Sequence, residues 1–290
     1  MFNPVNSPII KKDLKVISRS MKFSWGLFAY EVVLTIVFLF SLSIMSVSRS
    51  YTGVYSNTDM YSGYIYFFPI VGITELIIIA LIVPIITASS ISGERERKTM
   101  DVLLTTTITS TNIILGKIGS AVIRVMIFII ASLPLLSVSF IVGGLSWITL
   151  LEYVVMAFIF ACFAGSVGTF ASSVCRKSIT AIILSYVIYL GVYGIPFVGW
   201  LSEFLVNTSR TTYYLSPLAL LVDPVFTFIV FFVTRLTSEE VIGIFFDNSN
   251  GIWQLLSNDN LYIVLSEIIQ IALTAVFVVL ASNRIRPGKK

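Results

Sequence analysis

Gly63 to Ser90 reads GYIYFFPIVGITELIIIALIVPIITASS, with Glu75 as its one charged residue. A run of this length exceeds the roughly 20 apolar residues that carry a helix across about 30 Å of hydrocarbon. It also lacks the strict alternation of a barrel strand. Unpaired backbone groups are costly in hydrocarbon, so a spanning segment must close its hydrogen bonds within itself, as a helix does.

The rest of the chain is of the same kind. Of 290 residues, 57% are hydrophobic and 12% charged, about half the charged share of an ordinary soluble domain, roughly 25%. Five further apolar runs reach spanning length: Ser24 to Val47, Ile118 to Val142, Trp147 to Val174, Ile179 to Trp200, and Leu261 to Ser282. The fold class read from these is an all-α membrane protein with six transmembrane helices, in a single transmembrane domain over 1–290.

The net charge of +4 does not point to nucleic acid, because the basic residues sit in small clusters beside apolar spans. The chain has no histidine, which removes the commonest metal ligand and the commonest general base near neutral pH. Cys162 and Cys175 lie in or at the end of one apolar run and read as packing residues. The polar stretch from Asn3 to Lys22 and the long run behind it do not fit a cleavable leader, so the N-terminus is expected to stay on the mature chain.

Orientation follows from the lysines and arginines, which are retained on the cytoplasmic side. One side collects Lys11, Lys12, Lys15, Arg19 and Lys22, then Arg95, Arg97, Lys98 and Lys117, then Arg176 and Lys177, and finally Arg284, Arg286, Lys289 and Lys290. The opposite loops hold only Arg49, Arg210 and Arg235. Six spans with both termini in the cytoplasm satisfy every cluster. Tyr213 to Thr234 is apolar enough to compete as a seventh span, but crossing there would turn the basic tail outward, and Asp223-Pro224 interrupts it. Ser202 to Asn260 therefore reads as an external region with short helices.

Ahead of the first span, Ser7 and Pro8 make a helix start. Ile10, Leu14, Ile17 and Met21 then recur on one face, with Lys11, Lys15 and Lys22 on another. This predicts an interfacial amphipathic helix over 7–22, its apolar side in the acyl boundary and its lysines toward anionic headgroups.

The connection over 91–117 reads ISGERERKTMDVLLTTTITSTNIILGK. Orientation alone needs only a few positive charges here. Instead the sign alternates through Glu94, Arg95, Glu96, Arg97 and Lys98, and an apolar stretch with Met100, Val102, Leu103 and Leu104 follows. A charged run leading into an apolar one suits a short helix docked on a partner protein.

In that connection the chain resembles the permease subunits of ABC-2 type ATP-binding cassette exporters. Glu94, Arg95, Glu96, Arg97, Lys98, Thr99, Met100, Asp101, Leu103, Leu104, Gly116 and Lys117 match in order the pattern that joins their second and third spans. The proline that commonly follows the leucines is absent, with Thr107 near its place. The amphipathic elbow helix, the six spans and the long segment between the last two agree in outline. The resemblance implies that Gly93 to Leu104 is a cytoplasmic coupling helix moved by separate ATPase subunits. It further implies that a second permease subunit completes the pathway in the cell membrane, and that an amphipathic lipid, peptide, glycan or drug is exported. No glycine-rich phosphate loop occurs in the chain. The chain is thus expected to be a non-catalytic subunit without a cofactor of its own, with ATP and Mg bound by the partner.

Charges inside spans are costly and are functional candidates by default. Glu31, Glu75 and Arg124 qualify. Glu31 and Arg124 sit about two turns in from the same side and suit an ion pair. Glu75 lies nearer mid-span with no charged partner at its depth, and Glu267, near the outer end of the last span, is expected to be hydrated. The alternative reading is an ion-coupled carrier or channel using Glu75 and Glu31, although no inverted repeat with paired broken helices is evident. An intramembrane enzyme fits less well, because paired acids on one helix face and a nucleophile with its base are both missing. Ala157, Ala161, Gly165, Thr169 and Ser173, with Ala164, Gly168 and Ser172 beside them, form a small-residue stripe that predicts close helix packing by the fourth span. Pro84 and Pro134 are expected to kink the second and third.

Overall fold

The computed structural model describes residues 20–52, 67–98, 110–143, 146–206, 219–237 and 258–285, together with Lys15 and Ile242. Among these residues the chain forms seven helices: α1 Met21–Thr52, α2 Phe67–Glu96, α3 Ser110–Gly143, α4 Trp147–Val174, α5 Ser178–Val206, α6 Pro224–Thr237 and α7 Asp259–Ile285. All but α6 are long and apolar enough to cross a membrane, which is the number of spans read from the sequence. Helix α6 has 14 residues, about 21 Å at 1.5 Å per residue, short of the hydrocarbon thickness. Asp223 sets its start: its Oδ1 accepts the backbone N–H of Val225 at 2.9 Å, and Pro224 takes the first helical position, where a missing N–H is harmless. Residues 207–218, 238–241 and 243–257 of the external region, most of the elbow segment over 7–22, and the connection over 99–109 lie outside the described residues.

The chain divides into two compact units. The first comprises Met1–Ile82 and Gly119–Phe158. Its core is aromatic and branched aliphatic, with Leu34, Phe67, Phe68, Val71, Val125, Ile129 and Leu136 almost wholly buried. Edge-to-face ring pairs cross between helices: Tyr30 with Phe128 at 5.0 Å, Phe38 with Phe67 at 5.3 Å, and Phe68 with Tyr153 at 5.5 Å. Each such pair contributes about 0.5–1.5 kcal/mol beyond the area it buries.

The second unit comprises Val83–Ile118 and Ile159–Lys290. Here α4 meets α2 through Gly165, Gly168 and Ser172, and Ala161, Ala164, Ser166, Thr169 and Ala171 are fully buried. A Cβ added to Gly168 would overlap Thr87 Oγ1 and stand 3.2 Å from the backbone nitrogen of Ala88. Only glycine admits that approach, as expected where helices associate through backbone contact rather than through a hydrophobic drive. Outward faces are as apolar as the cores. Ile179, Ile183, Val187 and Leu190 on α5 are exposed, a face suited to acyl chains rather than water. Pro84, Pro134 and Pro196 lie inside continuous helices.

Candidate functional site

The end of α2 carries the charged run. The helix stops at Glu96 because the next residues turn back on it: Arg97 N–H donates to Gly93 O and Lys98 N–H to Arg95 O, each at 3.1 Å, and Lys98 adopts φ 57°. That left-handed conformation is the usual way a helix ends, though glycine normally fills it.

The alternating charges point to different partners within the second unit. Glu94 forms an ion pair with Lys117 Nζ at 2.8 Å, in the first turns of α3. Arg95 Nη1 donates to the carbonyl of Cys175 at 3.1 Å, at the end of α4. Glu96 takes both donors of Ser178, the backbone N–H at 2.9 Å and the hydroxyl at 3.0 Å. Ser178 opens α5, and its N–H is among those a helix cannot satisfy internally. A carboxylate at that place also complements the positive end of the helix dipole. One turn back, Ser172 Oγ of α4 accepts the N–H groups of Ile91 and Ser92 at 3.0 and 2.9 Å. The Ser92 hydroxyl donates to Ala88 O at 2.8 Å, the carbonyl on which the N–H of Ser92 would close an ordinary helical rung. This end of α2 is therefore fastened to the start of α3, the end of α4 and the start of α5.

Of the residues singled out in the sequence, Gly93 to Lys98 are thus placed. Thr99, Met100, Asp101, Leu103 and Leu104 lie outside the described residues. Gly93 has room for a side chain, since an added Cβ would meet only Ser178 Oγ at 3.6 Å.

Glu75 forms the centre of a polar cluster in the first unit. It is fully buried, and its carboxylate is ringed by hydroxyls from three other helices: Tyr30 of α1 and Ser132 of α3 donate to Oε1 at 2.9 Å each, and Tyr153 of α4 donates to Oε2 at 2.9 Å. Tyr153 Oη also lies 3.2 Å from the carbonyl of Gly72. Buried polar groups persist in apolar surroundings when such donors surround them.

A family model described as ABC-2 family transporter protein matches residues 7–281. The chain belongs to the ABC-2 transporter family. No curated protein matches it. As an ABC-2 permease with six apolar helices of spanning length, it is a multi-pass membrane component of a transporter, and the fastened end of α2 coincides with the connection whose residues carried the resemblance.

Two expectations about charges in the spans of this ABC-2 permease are corrected. Glu31 and Arg124 are both half-buried, but among the described residues no ion pair joins them, and Glu31 Oε1 is buried without a hydrogen-bond partner. Their equal depth was legible; their rotational positions on two helices were not. Glu267 does not lie at the surface: it is 9% exposed, and both its carboxylate oxygens are buried with no hydrogen-bond partner among the described residues. It lies on the inward face of α7 with Tyr262, Ser266 and Gln270, whereas Val264, Ile268 and Ile271 face outward. Depth along a helix does not determine which face a residue takes.

Sequence reasoning missed the partners. Tyr30, Ser132 and Tyr153 were unremarked members of apolar runs, Ser172 and Cys175 were read as packing residues, and Ser178 was not singled out. The available signal was weak: hydroxyl side chains at depths matching Glu75.

Proposed function

We propose that this ABC-2 permease forms half of the translocation pathway of an exporter and transmits motion from separate ATPase subunits to its own helices. In this reading Gly93 to Leu104 is the coupling segment and lies in the cytosol with both termini. ATP and Mg are held by the partner, and a second permease subunit completes a pathway for an amphipathic substrate. The observation that carries it is the fastening of the α2 end. Glu94 to Lys117, Arg95 to Cys175 and Glu96 to Ser178 join it to three helix ends. A push on the connection is thereby delivered to the bundle at several points at once, as a transmission element requires.

The experiment is a charge-exchange series in the transporter reconstituted with its ATPase. E94K is expected to uncouple ATP hydrolysis from transport, and E94K/K117E to recover a large part of the coupling, because the pair is re-formed with its signs exchanged. Normal transport by E94K, together with a chain that purifies without any cassette ATPase, would refute the assignment.

A further inference from the structure

The fastening has an outer side. Arg97 and Lys98 stand beyond the last turn of α2, Arg176 and Lys177 occupy the turn between α4 and α5, and all four side chains are exposed. The hydrogen bonds from Arg95 to Cys175 and from Ser178 to Glu96 hold these two stretches side by side, although about 80 residues separate them in the chain. Among the described residues of these two stretches Glu96 is the only acid, and both its oxygens are taken by Ser178. The surface presented outward is therefore cationic and is assembled from two connections.

Two features favour a protein over lipid headgroups as the occupant. Helix α2 runs six residues past Ser90, where the apolar stretch ends, which is about 9 Å at 1.5 Å per residue. The headgroup layer adds only about 5–8 Å on each side of the hydrocarbon, so Arg97 and Lys98 reach its far edge, whereas cations meant for lipid need only enter it. Lys98 also holds φ 57°, a conformation that suits glycine and strains a residue with a Cβ. A lysine in that place presents its charge from a fixed, strained turn, and such strain concentrates at functional contacts.

We infer that Arg97, Lys98, Arg176 and Lys177 form one docking surface for an acidic face of the ATPase partner, so that the turn between α4 and α5 is gripped together with the coupling segment. The inference rests on the preceding reading that an ATPase partner exists. Its distinctive content is the α4–α5 turn, which lies outside the connection between α2 and α3.

The test uses the full chain in nanodiscs with the cassette ATPase that co-purifies with it. R176E/K177E is expected to weaken ATPase binding by roughly tenfold or more, since like charges then face each other across the contact. K98G is expected to weaken binding severalfold while the melting temperature of the permease alone stays equal or rises. Wild-type affinity should fall steeply between about 50 and about 300 mM KCl, and all of this should persist in nanodiscs of phosphatidylcholine alone. Binding by R176E/K177E within about twofold of wild type overturns the inference. So does binding that requires anionic lipid and ignores the charge reversals in phosphatidylcholine, which would make the patch a headgroup anchor. If no cassette ATPase co-purifies with the wild-type chain, the underlying reading fails and this inference falls with it.

Discussion

The phenol of Tyr153 donates to Glu75 Oε2 at 2.9 Å, joining α4 to α2 across 78 residues of sequence. Tyr30 and Ser132 meet the other oxygen at the same distance, so one carboxylate links four helices at its depth. Removing the acceptor takes the partner of Tyr30 away in an apolar core, while Tyr153 and Ser132 keep the carbonyls of Gly72 and Ile129 at 3.2 and 2.8 Å; an unsatisfied hydroxyl costs about 1–3 kcal/mol, and the space left by the carboxylate adds to it. E75A is therefore expected to destabilise the permease by on the order of 3 kcal/mol, whereas E75Q, which keeps an acceptor for Tyr30 and Ser132, should cost much less. Y153F should cost about 1 kcal/mol. Thermal unfolding in nanodiscs measures all three. Transport by a folded E75Q variant at near wild-type rate is also expected, and its loss would return Glu75 to the ion-coupled alternative.

Glu96 is expected to act on α5 rather than on its own helix. Because Ser178 N–H donates to it at 2.9 Å, E96A should speed hydrogen exchange of the Ser178 amide. E96Q should give an intermediate rate, keeping an acceptor but losing the charge that complements the helix dipole. Exchange at Ser178 that is indifferent to both substitutions would show that the contact does not protect the start of α5.

Glycines in the spans should separate sharply by environment. At Gly168 an added methyl overlaps Thr87 and crowds the backbone of Ala88, so G168A is expected to cost about 2 kcal/mol or more through forced separation of α2 and α4. Gly191 has nothing within 4 Å of an added Cβ. G191A should be neutral or stabilising by about 0.5–1 kcal/mol, because alanine loses less backbone freedom in a helix. Melting temperatures of the two variants, measured side by side, test the contrast.

Asp223, at the entry to α6, makes stability depend on pH. Burial pushes its carboxyl up to about 6 from an ordinary 3.8, against the opposing pull of the Val225 and Phe226 amides. A carboxyl whose folded value lies above its unfolded one favours folding most when protonated. Its contribution is thus full below about pH 4 and is lost as pH rises through about 6. D223N keeps an acceptor for the Val225 amide without the buried charge, and should raise stability at pH 7 by about 3 kcal/mol, each pKa unit being worth roughly 1.4. The melting temperature of the wild type should fall between pH 4 and pH 7 relative to that of D223N; parallel curves would refute the assignment.

The sequence announced what depends on runs and spacings. Length and apolarity are local properties, so six spans could be read directly, and the charge and proline at Asp223-Pro224 argued against a seventh where the structure has the short α6. The charged run was legible as an unusual feature because topology needs no alternation of sign. Its internal destinations were not, since Lys117, Cys175 and Ser178 meet Glu94, Arg95 and Glu96 only through the packing of α2 against other helix ends. The same reason hid the hydroxyls around Glu75 and the inward turn of Glu267: a residue's depth follows from counting along one helix, while its neighbours depend on the rotation of several.

Ser172 draws two amide protons of α2 onto a single hydroxyl oxygen. A helix whose rungs lean on the helix beside it loses part of its stiffness as an independent rod. Bending near Ile91 then exchanges one acceptor for another instead of breaking a bond, and the neighbour's position decides which way the rod yields. The joint at the end of the span thus rests on shared protons beside Gly93, with no proline in it.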